Sequence, residues 1–86
     1  MRFLSSVGAY ITKIHGEAMQ ERGLPDIIGC LDGHYFAFEV KRLNLRPSPL
    51  QQHHLDAIDK AGGLSAVVTS VEEVEEALYK ACLIGR

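Results

Sequence analysis

The spacing in this chain from which chemistry follows belongs to two carboxylates and a lysine, Asp26, Glu39 and Lys41. The two acids stand on either side of Asp32-Gly33, a dipeptide suited to a two-residue type I′ hairpin turn, whose central residues both need φ > 0. With only those two residues in the loop, Leu31 opposes His34, Ile28 faces Ala37, and Asp26 faces Glu39. Directly opposed residues point to one face with Cβ atoms about 4.5–5.5 Å apart. Lys41, two residues beyond Glu39, points to that face too. Like charges opposed across a sheet destabilise it, so the pair calls for a cation. Lys41 is one candidate, and a divalent ion answers better, because Mg²⁺ commonly takes one or two carboxylates, keeps several waters and accepts a substrate phosphate. Such a metal lowers the pKa of its water and neutralises charge developing on phosphorus, with the lysine assisting. This chemistry suits phosphodiester hydrolysis. The bland alternative is a surface salt bridge at the edge of a hairpin, and these residues alone leave both open.

The elements that must position the trio follow from pattern. Residues 9–14 are β-branched and aromatic and read as a strand. The stretch from Gly16 to Leu24 is polar, flanked by glycines, and reads as a loop with at most a helical turn. Pro25 suits the entry to a second strand, Asp26 to Leu31, and His34 to Val40 is the returning strand. Residues 42–47 form a basic loop. In Ser48-Pro49-Leu50-Gln51, Ser48 is a capping residue, Pro49 suits the first helical position, and Gln51 completes a capping box. Leu55, Ile58 and Ala61 continue one face of that helix, and Gly62-Gly63 ends it. Leu64 to Thr69 reads as a buried strand. Ser70-Val71-Glu72-Glu73 is a second capping box, opening a helix whose apolar face is Val71, Val74, Leu78 and Ala81 or Cys82. The acids of its first turn favour the positive end of the helix dipole. The unit from Val40 to Thr69 has the length of a right-handed parallel crossover. An α/β fold follows, a mixed sheet with a central hairpin and helices packed on it.

A chain of 86 residues has room for one core, so residues 1–86 are expected to form a single domain, and dimerisation would add buried surface. The apolar fraction of 47% and charged fraction of 23% are those of a globular protein. No apolar run approaches the roughly 20 residues of a membrane span. Cys30 and Cys82 make no ligand pair and no disulfide framework, so a reduced, cytoplasmic compartment is expected. Net charge is −2 but uneven: residues 1–46 hold six Lys/Arg against five Asp/Glu, and residues 47–86 three against six. A solvated basic loop explains the first half as well as a nucleic-acid surface does.

The ordered set of motifs is more informative than any one of them. Gly23-Leu24-Pro25-Asp26-Ile27-Ile28, then Glu39-Val40-Lys41, Ser48-x-x-Gln51 and Ala61-Gly62-Gly63 together resemble the virus-type replication–repair nuclease (VRR-NUC) domain of the PD-(D/E)XK nuclease superfamily. The likeness runs from about Gly8 to Leu78. It implies a restriction-endonuclease-like fold and a Mg²⁺- or Mn²⁺-dependent endodeoxyribonuclease. In that reading Asp26, Glu39 and the backbone carbonyl of Val40 are the metal ligands, Lys41 is the catalytic lysine, and Gln51 supports the site. DNA is the implied partner, with a homodimer acting on four-way (Holliday) junctions in a bacterial or phage-infected cytoplasm. The family's usual glutamate on an N-terminal helix has no counterpart in Met1 to Val7. Either the chain begins late, or Glu17 or Glu21 takes the role, or the domain binds DNA without cutting it.

Lys13, Arg22, Arg42 and Arg46 are candidate phosphate contacts, each also readable as a solvated charge. His53 and His54 are adjacent, so on a helix they diverge and do not share a metal. Cys30 reads as a small core or sheet residue, and Tyr35 and Phe36 as packing groups.

Overall fold

A computed structural model describes residues 2–14 and 22–85. Among these the elements are α1 (Arg2–Ser6), β1 (Tyr10–Lys13), β2 (Ile27–Leu31), β3 (His34–Val40), α2 (Pro49–Lys60), β4 (Leu64–Val68) and α3 (Val71–Lys80). The sheet runs in the order β1-β2-β3-β4. The first three strands are antiparallel neighbours and β4 lies parallel to β3. This is the mixed sheet expected from the hairpin and the strand–helix–strand unit.

The hairpin forms in the expected register. Asp32 and Gly33 adopt φ of 52° and 81°, as a type I′ turn demands. Pairing runs from Leu31↔His34 to Ile27↔Phe38. Because side chains alternate along a strand, this register sorts the sheet into two faces. Ile27, Leu31, Phe36, Phe38 and Val68 join Leu4, Val74 and Leu78 in the main core. Ala37, Glu39 and Ser65 turn to the other face, where α2 lies: Leu55 is buried, and the Ser65 hydroxyl donates to its carbonyl at 2.7 Å. The sheet therefore separates an apolar layer from a layer that holds the acids.

Gly29 shows how tightly the strands meet. A Cβ there would collide with the Tyr10 carbonyl oxygen of the neighbouring strand and lie 2.7 Å from Cζ of buried Phe36. Neither can withdraw without breaking a ladder or the core. Gly29→Ala is expected to cost about 1–3 kcal/mol, each kcal/mol lowering the melting temperature by about 4–8 °C for a domain of this size. An unchanged thermal melt would contradict this packing.

Two local expectations need correction, and one element was not anticipated. The helix α1, five residues long, closes the core through Leu4, which is fully buried. The second capping box is only half made. Ser70 Oγ accepts from the Glu73 N–H at 3.2 Å, but the Glu73 carboxylate accepts from the N–H and hydroxyl of Thr69 instead of the Ser70 N–H. On α3, Val74 and Leu78 are buried as expected. Val71 is 45% exposed and Ala81 and Cys82 are exposed, while Ala77 packs against the core. Most of the polar loop from Gly16 to Leu24 lies outside the described residues. Both cysteines are free and exposed, Cys30 within β2. No helix among the described residues is long and apolar enough to cross a membrane.

Candidate active site

Glu39 is the penultimate residue of β3, and its parity turns it away from the phenylalanine core toward α2. It is only 2% exposed, the one buried charged residue among those described. Its Oε2 accepts from Gln51 Nε2 at 3.3 Å and lies 3.7 Å from Lys41 Nζ. Its Oε1 is buried with no hydrogen-bond partner. A buried charged oxygen left unpaired is costly, so this group stands ready for a proton or a cation.

Asp26 sits one residue before β2, at the position that continues the hairpin register opposite Glu39. Its Oδ2 accepts from the Val40 N–H at 2.8 Å, and its carbonyl accepts from the Ile14 N–H at 2.7 Å. Asp26 thus ties the ends of β1 and β3 together while its carboxylate stands beside that of Glu39. The electrostatics record the crowding. Burial, then hydrogen bonding to Asp26 and its negative charge, push the Glu39 carboxyl from 4.5 up to about 7, with Lys41 acting in the opposite direction. The structure therefore brings Asp26, Glu39 and Lys41 to one place.

Gln51 makes two sets of contacts, one at the helix cap and one with Glu39. Its Oε1 accepts from the Ser48 N–H at 2.8 Å while Ser48 Oγ accepts from the Gln51 N–H at 3.2 Å, a complete capping box. Its Nε2, the other end of the same amide, reaches Glu39. The start of α2 and the orientation of the buried acid are set by one side chain.

Among the described residues, no group of three His, Cys, Asp or Glu gathers as a metal site. A pair of carboxylates with a backbone carbonyl nevertheless matches the habits of Mg²⁺, which uses one or two carboxylates and retains water. The unpartnered Oε1 of Glu39 is the observation that makes the pair fit a cation.

The basic residues are dispersed. Arg42 and Arg46 are exposed on the loop after Lys41, where the Leu45 N–H donates to the Arg42 carbonyl at 3.0 Å. Arg22 is exposed at the approach to Asp26. Lys13 pairs with Ile27, so alternation sends its side chain to the face opposite Glu39. Glu17 and Glu21 lie outside the described residues, and α1 carries no acid. One contact had no signal in the sequence: His54 Nε2 lies 3.1 Å from the Arg22 carbonyl, 32 positions away.

Known structures share this arrangement of elements. A VRR_NUC domain superposes with a TM-score of 0.73 and 27% identity, over 92% of this chain and 84% of that one. The Holliday junction resolvase Hjc of Archaeoglobus fulgidus, an archaeal hyperthermophile, matches in fold with a TM-score of 0.60 and 23% identity, over 80% of this chain and 60% of that one. No family sequence model and no curated protein sequence matches. The likeness extends across nearly the whole chain, and the chain has the α/β restriction-endonuclease-like fold of a VRR-NUC domain.

Proposed function

We propose that this chain is a divalent-metal-dependent endodeoxyribonuclease that hydrolyses phosphodiester bonds, acting as a homodimer on branched, four-way DNA. The observation that carries the reading is the buried Glu39, one oxygen unpartnered, set between Asp26 and Lys41 on a nuclease fold. Asp26, Glu39 and the Val40 carbonyl would hold Mg²⁺ or Mn²⁺. When bound, the ion supplies an acidified water and neutralises charge on the phosphate. The chain's own residues then have separate tasks. Gln51 and Lys41 keep the Glu39 carboxylate in one orientation, and the Val40 N–H does the same for Asp26. The Lys41 ammonium, partly exposed, offers its charge to a non-bridging oxygen as negative charge grows there. Arg22, Arg42 and Arg46 are proposed phosphate contacts that fix register without reading sequence, whereas Lys13 projects from the sheet face opposite Glu39 and is not among them.

The four-way substrate is supported by the resolvase likeness, and a two-fold dimer would place two such sites on two strands. The test is cleavage of a labelled four-way junction and its linear duplex by the wild type and Asp26→Ala, with Mg²⁺, with Mn²⁺ and with EDTA. Wild type should cut only with metal, and Asp26→Ala should bind but not cut. If both bind equally and neither cuts, the second reading takes over: a DNA-binding module that keeps the nuclease fold, favoured by the absence of an acid on α1.

A further inference from the structure

We infer that His54 is a positioning residue for Asp26, holding the segment that leads into the site against α2; this rests on the reading of Asp26 and Glu39 as a metal pair. The β2–β3 ladder ends at Ile27↔Phe38, so Asp26 lies just outside regular pairing. Its place depends on how residues 22–25 approach it. That segment rests on α2 at two points. Gly23 adopts φ of 80°, and a Cβ on it would lie 2.6 Å from Leu50 Cγ and 3.0 Å from the Leu50 carbonyl carbon. The backbone there lies directly on the first turn of the helix. One turn further, His54 Nε2 meets the Arg22 carbonyl at 3.1 Å. A carbonyl only accepts, so the imidazole donates its Nε2–H.

Leu50 and Gln51 each neighbour His54 on the surface of α2, at i,i+4 and i,i+3. From the first turns of α2, Gln51 grips Glu39, and Leu50 and His54 seat the approach to Asp26. The helix is itself fixed to the sheet through Leu55 and Ser65. One rigid element therefore governs the separation of the two carboxylates, and a metal pair tolerates only about 0.5 Å of displacement. Nothing in the identity of His54 as a residue type suggests this. The contact does.

The test compares the full chain with His54→Ala, His54→Gln, Gly23→Ala and a control, Val74→Ala. The control destabilises the fold from the main core under α3, on the other face of the sheet from α2 and residues 22–26. Two quantities are measured: exchange of the Val40 amide, whose N–H donates to Asp26, in EDTA by NMR, and Mn²⁺ affinity by titration. His54→Ala and Gly23→Ala should speed Val40 exchange and weaken Mn²⁺ binding by about 10–100-fold, the usual cost of losing a group that orients a ligand. His54→Gln retains a donor and should recover most of both. Val74→Ala should lower the melting temperature yet leave both near wild type. If His54→Ala behaves as Val74→Ala does, the positioning role is overturned while the metal reading stands. If wild type binds no Mn²⁺, the metal reading fails, and Val40 exchange in EDTA alone decides the role of His54.

Discussion

Glu39→Gln is expected to reduce metal-dependent cleavage to the level seen in EDTA and, in the same molecule, to stabilise the metal-free fold above pH 7. The two effects have one cause. Glu39 is buried with one oxygen unpartnered and a second carboxylate beside it, which raises its pKa from 4.5 to about 7. A raised folded-state pKa means that the folded protein holds the proton more tightly than the unfolded chain does. Between pH 4.5 and about 7 the folded state therefore binds more protons, and stability falls as pH rises through that window, by up to about 1.4 kcal/mol per unit. Below the window the group is neutral in both states and the contribution is constant. Above it the buried charge is fully formed and the loss, on the order of 3 kcal/mol, is complete. Glutamine keeps an acceptor for Gln51 and carries no charge, so Glu39→Gln removes this dependence.

Thermal melts in EDTA at pH 5 and pH 8 check the sign. Wild type should lose stability between the two, and Glu39→Gln should lose much less. Adding Mg²⁺ at pH 8 should restore the wild type, because a ligand bound only by the folded state stabilises it in proportion to RT ln(1 + [L]/Kd). The variant should not respond. Equal melts for both proteins at pH 8 in EDTA would show that the buried carboxylate costs nothing, and the strain assigned to it would be wrong.

Lys41→Ala is expected to lower kcat by about 10²–10³, the range found when one group that stabilises transition-state charge is removed, with DNA binding changed far less. Lys41 also lies 3.7 Å from Glu39 and opposes the upward push on its pKa. Without it, the Glu39 carboxyl should titrate higher still, so the pH-dependent loss of stability in EDTA should extend further into the alkaline range. Single-turnover cleavage at saturating metal gives the first effect and melts from pH 6 to pH 9 give the second. A variant that cuts within threefold of wild type would remove Lys41 from the chemistry and leave it as an ion-pair partner.

Gln51 and His54 lie on the same helix, yet only one was legible. The capping box at Ser48-x-x-Gln51 is a local pattern, and the resemblance to the VRR-NUC domain is what points Gln51 toward the site. The contact of His54 with Arg22 joins residues 32 positions apart, and no periodicity reports it. The second capping box failed in a similar way: the spacing was right, but a nearby Thr69 offered two donors and took the carboxylate of Glu73.

What the sequence by itself determined was the hairpin and everything that depends on its register. Asp32-Gly33 admits one tight turn, side chains alternate with a period of two, and so the side of the sheet on which Glu39 and Lys41 stand followed from counting. The crossover helix, its cap and the parallel strand after it were equally local. Only the tertiary structure decided that Glu39 is buried, that one of its oxygens has no partner, and that Asp26 is bonded to the Val40 N–H. It also decided that the first five-residue helix closes the core. Those facts depend on which helix covers which face of the sheet, and covering is a property of distant packing that neither turn chemistry nor periodicity encodes.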